Sequence, residues 1–418
     1  MDILVVGGGG REHAVIKKLK QSPHTGTVYC APGNGGIAQD AICVPVKATD
    51  VDAVVALAVE KKVGLVVVTP DDPLMLGMVD ALEEKGIRAF GPKKNAAEIE
   101  GSKVFSKNLM QRYHIPTAGY HVFDDPAQAL AFIREQNSYP TVVKADGLAL
   151  GKGVVIAETE QEAETALRSI MEDKIFGASG NRVVIEEFLT GPEVSVLSFT
   201  DGKTIVPMVS SKDHKRALDG NLGPNTGGMG TISPNPHYTG EMAEWCMKEI
   251  FRPTVEAMNR EGRPFKGCLY FGLMLTADGP KVIEYNARFG DPETQVVLPR
   301  LKTDLVEIFD AVIDEKLDSV EIEWDDRAAA CVVAASGGYP GKYETGRKIT
   351  GLERAEALGN EVYHAGTRME NGSIVTSGGR VLGVTALGEG LDQALTKAYQ
   401  GLSQIHFEGM YYRKDIGR

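Results

Sequence analysis

The rhythm of apolar positions changes along the chain. From Ile3 to Val6 and over Leu65–Val68 the apolar residues run unbroken, as in strands covered on both faces. Residues 12–20 and Val51–Lys61 carry apolar side chains at helical spacing, and residues 28–30 add another strand. This alternation predicts a doubly wound α/β domain over residues 1–102, whose ligands lie beyond the carboxyl ends of its strands.

After Gly101 the pattern is different. Residues 104–113 read as a helix that stops before Ile115-Pro116. Residues 141–144, a glycine-rich loop, Val154–Ala157, a helix near 162–171 and Val183–Glu187 then predict a small α+β lid at about 118–190. The lid is set in a larger body spanning 103–327. Within that body, 272–276 and 281–285 flank Ala277-Asp278-Gly279, a strong hairpin signal, and 304–314 read as a helix. Residues 328–418 mix short strands (329–334, 380–386) with a helix at 391–405, which predicts a mixed α/β carboxyl-terminal domain. A chain of 418 residues accommodates this division into three.

Composition narrows the partners. A net charge of −12 argues against a nucleic-acid surface, which needs a basic stripe, but allows a small polyanion at a local positive site. The five cysteines, Cys30, Cys43, Cys246, Cys268 and Cys331, are odd in number and widely spaced. They suit reduced, mostly buried thiols in a cytoplasmic protein rather than a disulfide framework or a zinc site. The chain enters a strand at once, leaving no room for a signal peptide, and no apolar run approaches a membrane span.

The densest chemistry lies in Lys281-Val-Ile-Glu-Tyr-Asn-Ala-Arg-Phe-Gly-Asp-Pro-Glu293. Glu284 and Asn286 stand two apart on a strand and project from one face. A carboxylate beside an amide oxygen suits magnesium, which keeps several waters and takes one or two protein carboxylates with substrate phosphates. Arg288 and Asp291 follow in a loop that can hold an anionic substrate. Taken alone, Glu-x-Asn is an ordinary polar strand edge; its weight comes from the other segments. Gly7-Gly8-Gly9-Gly10, before Arg11-Glu12-His13, joins a strand end to a helix start, where free N–H groups favour a phosphate. The dinucleotide pattern G-x-G-x-x-G is incomplete, because Glu12 holds its last position and no acidic residue ends the next strand.

Lys144-Ala-Asp-Gly-Leu-Ala-Leu-Gly-Lys-Gly153 sets two lysines around a glycine-rich turn that can fold over phosphates, although Gly153 stands where a P-loop needs Ser or Thr. At the end of an apolar strand, Glu186-Glu187-Phe188-Leu189 offers backbone groups to an adenine ring and a carboxylate to its amino group or ribose. Lys212-Asp-His-Lys-Arg216 leads into Gly223-Pro-Asn-Thr-Gly-Gly-Met-Gly230, a long loop with little apolar content and the composition of a functional one. His13, His114, His214 and His364 show no metal-ligand spacing and read as structural or surface residues.

Taken in order along the chain, these segments resemble the ATP-grasp enzymes and, among them, the phosphoribosylamine–glycine ligase (glycinamide ribonucleotide synthetase) family of purine biosynthesis. The matching stretches are Gly8-Gly-Gly-Arg-Glu-His13, Ala31-Pro-Gly-Asn34, Phe90-Gly-Pro92, Glu100-Gly-Ser-Lys103, Lys144-Ala-Asp-Gly147 with Gly151-Lys-Gly153, and Asp213-His-Lys-Arg216. They continue with the 223–230 loop, Glu284-x-Asn286-x-Arg-Phe-Gly-Asp-Pro-Glu293, His364-Ala-Gly-Thr367, Thr376-x-Gly-Gly-Arg380 and Arg413-x-Asp-Ile-Gly417.

The resemblance implies an ATP-grasp body with ATP as co-substrate and magnesium or manganese on Glu284 and Asn286. It makes Lys103 and Lys144 the phosphate lysines and Gly147, Gly151, Lys152 and Gly153 the phosphate loop. Glu186, Glu187, Phe188 and Leu189 become the adenine wall, with Glu193 on the ribose. Arg288, Asp213, Lys215, Asn225, Thr226 and Gly227 surround glycine and the amine, with Arg288, Lys144 and Asp213 acting in catalysis. Gly8, Gly9, Gly10 and Asn34 face the ribose phosphate. Asp71, in Thr69-Pro-Asp-Asp-Pro-Leu74, is one methylene shorter than the family's Glu at this ribose contact, and Leu150 replaces an Ala in the phosphate loop. The implied reaction activates glycine as glycyl phosphate and transfers it to 5-phosphoribosylamine, in an enzyme expected to be monomeric. His214 is one candidate for the amine's proton, with solvent the other. Three rival readings are another carboxylate–amine ligase or carboxylase-type enzyme of this fold, a nicotinamide-dependent oxidoreductase built on the first domain, and a nucleotide-binding regulatory protein without turnover.

Overall fold

The computed structural model describes residues 1–148 and 153–418; Leu150, Gly151 and Lys152 of the glycine-rich turn lie outside the described residues. Ile3–Gly7 is the central strand of a five-stranded parallel sheet, with Val28–Pro32 and Ile42–Cys43 on one side and Leu65–Val68 and Ala89–Phe90 on the other. Strand order switches between Ile3–Gly7 and Leu65–Val68. The crevice of this doubly wound sheet therefore opens where residues 7–10 and 69–71 leave it. The unbroken apolar runs are buried throughout, as two covered faces require.

The lid is a four-stranded antiparallel sheet in the order Tyr120–Phe123, Val183–Glu187, Thr141–Ala145, Val154–Ala157. Ala129 and Ile133 of helix Pro126–Gln136 and Ala163 and Leu167 of helix Glu160–Leu167 close a core with Val143, Ala145, Val183 and Ile185. Because side chains alternate along a strand, Lys144 and Glu186 fall on the opposite face, toward the body. The lid keeps this core to itself. The body sheet, in the order Ile205–Pro207, Glu193–Asp201, Lys266–Thr276, Gly279–Asn286, instead shares its core with the amino-terminal domain. Phe90 from the first domain stacks on Phe309 with ring centroids 3.9 Å apart, and Phe199 and Phe289 complete the cluster.

The 212–230 stretch departs from the simple loop its composition predicts. Lys212–Asp213 pairs with Gly230–Ser233, and that strand continues a sheet through Ala328–Ser336, Arg380–Gly388 and Glu361–His364. Arg216–Leu218 and Leu222–Asn225 form a hairpin between them. The hydrophobic pattern does not reveal these short strands because their partners lie far along the chain. The carboxyl-terminal sheet thus runs across the boundary expected at 327/328, with helix Leu391–Leu402 packed on it. Among the described residues no helix is long and apolar enough to cross a membrane.

Candidate active site

A slip in strand pairing shapes the cleft. Glu284 stands opposite Gly272 while Val282 stands opposite Leu273, so Ile283 is an extra, bulged residue. Val282 and Tyr285 are buried in the core, whereas Ile283, Glu284 and Asn286 are half-buried. Glu284 and Asn286 share the face their spacing predicts, and Ile283 joins them. Lys215 Nζ lies 3.4 Å from Glu284 Oε1. Lys215 above all, with Lys144, Lys103 and Arg288, outweighs burial and holds the Glu284 carboxyl down at about 2. Asn286 Oδ1 accepts a hydrogen bond from Arg288 Nη2 at 3.2 Å. An ionised carboxylate and an amide oxygen fit a hard divalent cation. Among the described residues no cluster of three or more acidic, histidine or cysteine side chains is present to complete a protein cage, so water and phosphate would supply the other ligands.

The lid contributes charge in pairs. Glu186 lies 3.0 Å from both Lys144 and Lys107, and all three are buried. Lys144 also donates to the Ile283 carbonyl at 3.3 Å. Lys107 donates to Thr117 Oγ1 at 2.8 Å, and that hydroxyl donates to the Val282 carbonyl at 2.7 Å. The lid face is thereby tied to the bulge of the Glu284 strand. The Glu186 carboxylate meets the two lysines inside a cavity that Lys103, Ile283 and Glu284 also line. Burial pulls the Lys107 ammonium down to about 8 against the attraction of Glu186. Lys107 is missing from the sequence-based set, yet it follows Lys103 by one helical turn and so shares its face.

Lys103 opens the helix Lys103–Arg112, where Ser102 Oγ accepts the Phe105 N–H at 3.0 Å. Its Nζ donates to the Gly147 carbonyl at 3.1 Å, at the root of the glycine-rich turn. Asp146 holds the same corner, accepting from Ser102 Oγ and the Val104 N–H at 2.9 Å and pairing with Arg182 at 2.6 Å. The Gly153 carbonyl accepts the Ala145 N–H at 2.8 Å and closes the turn's far side. Glu187, Phe188 and Glu193 are exposed and Leu189 half-buried along the cleft's open edge. Glu187 accepts the Gly119 N–H at 3.2 Å, and Glu193 lies 3.8 Å from Lys215.

Beyond Glu284 the site changes character. Arg288 pairs with Glu100 at 3.0 Å, and the other Glu100 oxygen accepts the Ala287 N–H at 2.7 Å. Burial raises the Glu100 carboxyl to about 7. Asp71 adds its negative charge beside this pair. Arg288 Nε is buried with no hydrogen-bond partner among the described residues, a donor free for an anionic group. Asp213 lies against Gly228; burial, then the charge of Glu293, raises its carboxyl well above the usual range. Glu293, absent from the sequence-based set, is buried and accepts from Tyr270 Oη at 3.2 Å and Ser195 Oγ at 3.4 Å. Arg380 covers Gly227 and donates to the carbonyls of Gly227 at 2.7 Å and Asp291 at 2.9 Å. The Thr226 hydroxyl donates to the Lys215 carbonyl at 2.8 Å, and Asn225 is exposed on the hairpin.

Two expected residues prove to be braces. Asn34 Nδ2 donates to the carbonyls of Gly8 at 2.9 Å and His364 at 2.7 Å, while its Oδ1 accepts the N–H groups of Gly36 and Ile37. Its amide is consumed in holding the glycine turn, and the Gly9 N–H is taken by Glu12 at 2.6 Å. Gly8, Gly9 and Gly10 otherwise line the crevice with backbone alone. His214 Nδ1 meets the Gly230 carbonyl at 3.1 Å and Nε2 meets the Gly417 N–H at 3.0 Å. A carbonyl only accepts and an amide N–H only donates, so Nδ1 carries the proton and the ring is fully engaged. Burial pulls His214 down to about 4. It is a structural link, which leaves solvent from the pair of candidates for the amine's proton.

Family models match the three parts in order: the phosphoribosylglycinamide synthetase N domain over residues 1–100, its ATP-grasp (A) domain over 101–294 and its C domain over 329–418. The same fold occurs in the biotin carboxylase domain of Hydrogenobacter thermophilus 2-oxoglutarate carboxylase, solved with MgADP, at 17% identity and a TM-score of 0.74 over 98% of this chain and 91% of that one. Fold and cleft are those of an ATP-grasp enzyme. A phosphoribosylamine–glycine ligase of Caldanaerobacter subterraneus subsp. tengcongensis is 49% identical, covering 100% of this chain and 99% of its own. One from Rhodopirellula baltica is 52% identical, covering 99% and 97%. The crystal structure of phosphoribosylamine–glycine ligase from Thermotoga maritima matches with a TM-score of 0.85 at 33% identity, over 99% of this chain and 100% of that one. The chain belongs to the phosphoribosylglycinamide synthetase family.

Proposed function

We infer that this enzyme joins glycine to 5-phosphoribosylamine, with cleavage of ATP to ADP and phosphate, in purine biosynthesis. The observation that carries the reading is the meeting of two half-sites on one strand. Glu284 and Asn286 adjoin Lys103 and Lys144 on the lid side, and Lys215 and Arg288 on the other. In the first step an oxygen of glycine's carboxylate attacks the γ-phosphorus, and the bond to the β-phosphate bridge breaks. In the second the amine nitrogen attacks the glycyl carbonyl carbon, and phosphate leaves.

Phosphoryl transfer asks the protein for alignment and charge neutralisation more than for covalent help. Lys103 and Lys144 supply positive charge at the triphosphate. Lys144 can turn from Glu186 toward phosphate because Lys107 stays behind to compensate that carboxylate. Glu284 and Asn286 would hold magnesium or manganese, which when bound neutralises phosphate charge. The 187–189 edge lines the adenine and Glu193 meets the ribose. Arg288 orients glycine's carboxylate through its unpartnered Nε, while Asp213 and the carbonyls of residues 225–227 receive the amino groups and Lys215 adds positive charge beside Glu284. The ribose phosphate of the amine faces the backbone of Gly8, Gly9 and Gly10, with Asp71 near the sugar. A closed lid excludes water that would hydrolyse the acyl phosphate. Five free thiols, four of them buried, suit a reducing cytoplasm.

ADP release measured with glycine alone, with amine alone and with both tests the reading. Fast release is expected only with both. ADP release that ignores glycine points to a different carboxylate, and none under any condition removes ATP from the reaction.

A further inference from the structure

We propose that the last turn of the chain, Arg413 to Gly417, is a clamp that positions Asp213 and Lys215 for the amino-acid and amine substrates. The inference rests on the reading of that face as the substrate side given above.

Residues 213–216 alternate like a strand. Lys215 points to Glu284 and Asp213 lies beside Gly228 and Glu293 in the cleft. His214, between them, points the other way and receives the Gly417 N–H. The tail grips this outer side at successive points. Arg413, 1% exposed, donates to the Arg216 carbonyl at 3.1 Å and to Asn221 Oδ1 at 3.0 Å. Its fork is closed by Asp415, with both bonds at 2.8 Å, and Asp415 also accepts the Gly220 N–H at 2.8 Å. The Lys414 N–H donates to Asp219 at 2.7 Å. Ile416, fully buried, fills the space left by the missing side chain of Gly230, where an added Cβ would come 2.7 Å from its Cδ1.

A buried guanidinium is costly unless its donors are matched, and here they are matched across two domains. A tail needed only for packing would satisfy itself on its own helix, as Tyr399 does in bonding the Arg413 carbonyl at 2.8 Å. The Ile416 N–H also bonds Tyr399, at 3.2 Å, but the Arg413 guanidinium, the Asp415 carboxylate and the N–H groups of Lys414 and Gly417 reach residues 214–221, the segment whose inner face carries Asp213 and Lys215. Arg413, Asp415 and His214 are therefore positioning residues, acting through the backbone of 213–221 without touching substrate.

Asp415→Asn and Arg413→Met, assayed by steady-state kinetics in the full-length enzyme, test the clamp. The KM values for glycine and amine should rise about 10-fold to 100-fold, the usual effect of misplacing a binding group by an ångström. The KM for ATP and nucleotide binding measured by calorimetry should stay within about twofold, and Asp415→Glu should recover part of the loss. If Arg413→Met does not fold, Asp415→Asn, at a partly exposed carboxylate, carries the test. Unchanged glycine and amine KM in Asp415→Asn overturns the proposal, and so does an equal shift of all three KM values. Asp213→Asn separates the two levels: unchanged glycine and amine kinetics there overturns the underlying site reading, whatever the tail does.

Discussion

The two walls of the cleft are built by different means. On the nucleotide wall, charged side chains neutralise one another: Lys144 and Lys107 share Glu186. Lys144 and Glu186 sit on a lid whose core is its own, and Lys107 meets them from a helix of the body. On the substrate wall, backbone groups are pinned by arginines from the far end of the chain, Arg380 on Gly227 and Asp291, and Arg413 on Arg216. Ion pairs between side chains can exchange partners when a triphosphate arrives. Backbone held by several guanidinium bonds at once, from half-buried Arg380 and fully buried Arg413, cannot move so cheaply. One wall is made to change on binding, the other to stay where it is.

That contrast can be broken in several places. The largest effect is expected for Glu284→Gln, which removes a charge partner at the phosphates. Turnover should fall by about 3–4 kcal/mol in activation energy with the fold intact, and near-normal rates at low magnesium would refute the metal assignment. Lys107→Met should come next, leaving Glu186 one counter-charge short. A cost of about 3 kcal/mol is expected, appearing as faster hydrogen exchange in the lid while the body keeps its protection. Uniform deprotection would deny the lid its independence.

On the other wall, Gly227→Ala puts a Cβ 2.9 Å from Arg380 Cζ. The guanidinium can give way at the end of its side chain, so stability should change by less than about 1 kcal/mol, but Arg380 is displaced from the turn and the glycine and amine KM should rise while that of ATP holds. The His214 link adds a pH signature. Its folded value, about 4, lies below its ordinary 6.5, so the unfolded chain takes up the proton first. Its contribution is complete above about 6.5 and is lost as pH falls toward about 4. His214→Gln should flatten the stability slope in that window by about 1.4 kcal/mol per pH unit, read from denaturant titrations. The smallest effect is expected on the lid's outer surface. Arg168→Ala breaks an exposed pair with Glu172 and should cost less than about 0.5 kcal/mol; a larger loss in melting experiments would show that the lid's surface charges matter too.

Most of the first two domains is legible in local pattern. Val51–Lys61, Leu65–Val68, Val154–Ala157 and Val183–Glu187 form where apolar spacing puts them, because each meets its core through its own periodicity. The short strands Lys212–Asp213 and Gly230–Ser233 carry no such signal; their pairing energy comes from partners outside any local window. The same limit applies to side chains. Glu284 and Asn286 are visible as a pair because a strand's two-residue period suffices. Glu293 ends the same stretch, but nothing in local spacing shows that it turns inward to Tyr270 and Asp213.

The amino-acid order by itself settled the strand and helix periods, the oxygen pair on the Glu284 strand and the glycine turns, since these depend on spacing within a few residues. Tertiary structure alone decided which charges meet. It brought Lys107 and Lys144 onto one carboxylate, emptied Asn34 and His214 of chemistry by engaging every polar atom of their side chains, and carried the chain's last turn to the back of the substrate segment. Those outcomes depend on distances between residues far apart in sequence, and only packing of the whole chain sets them.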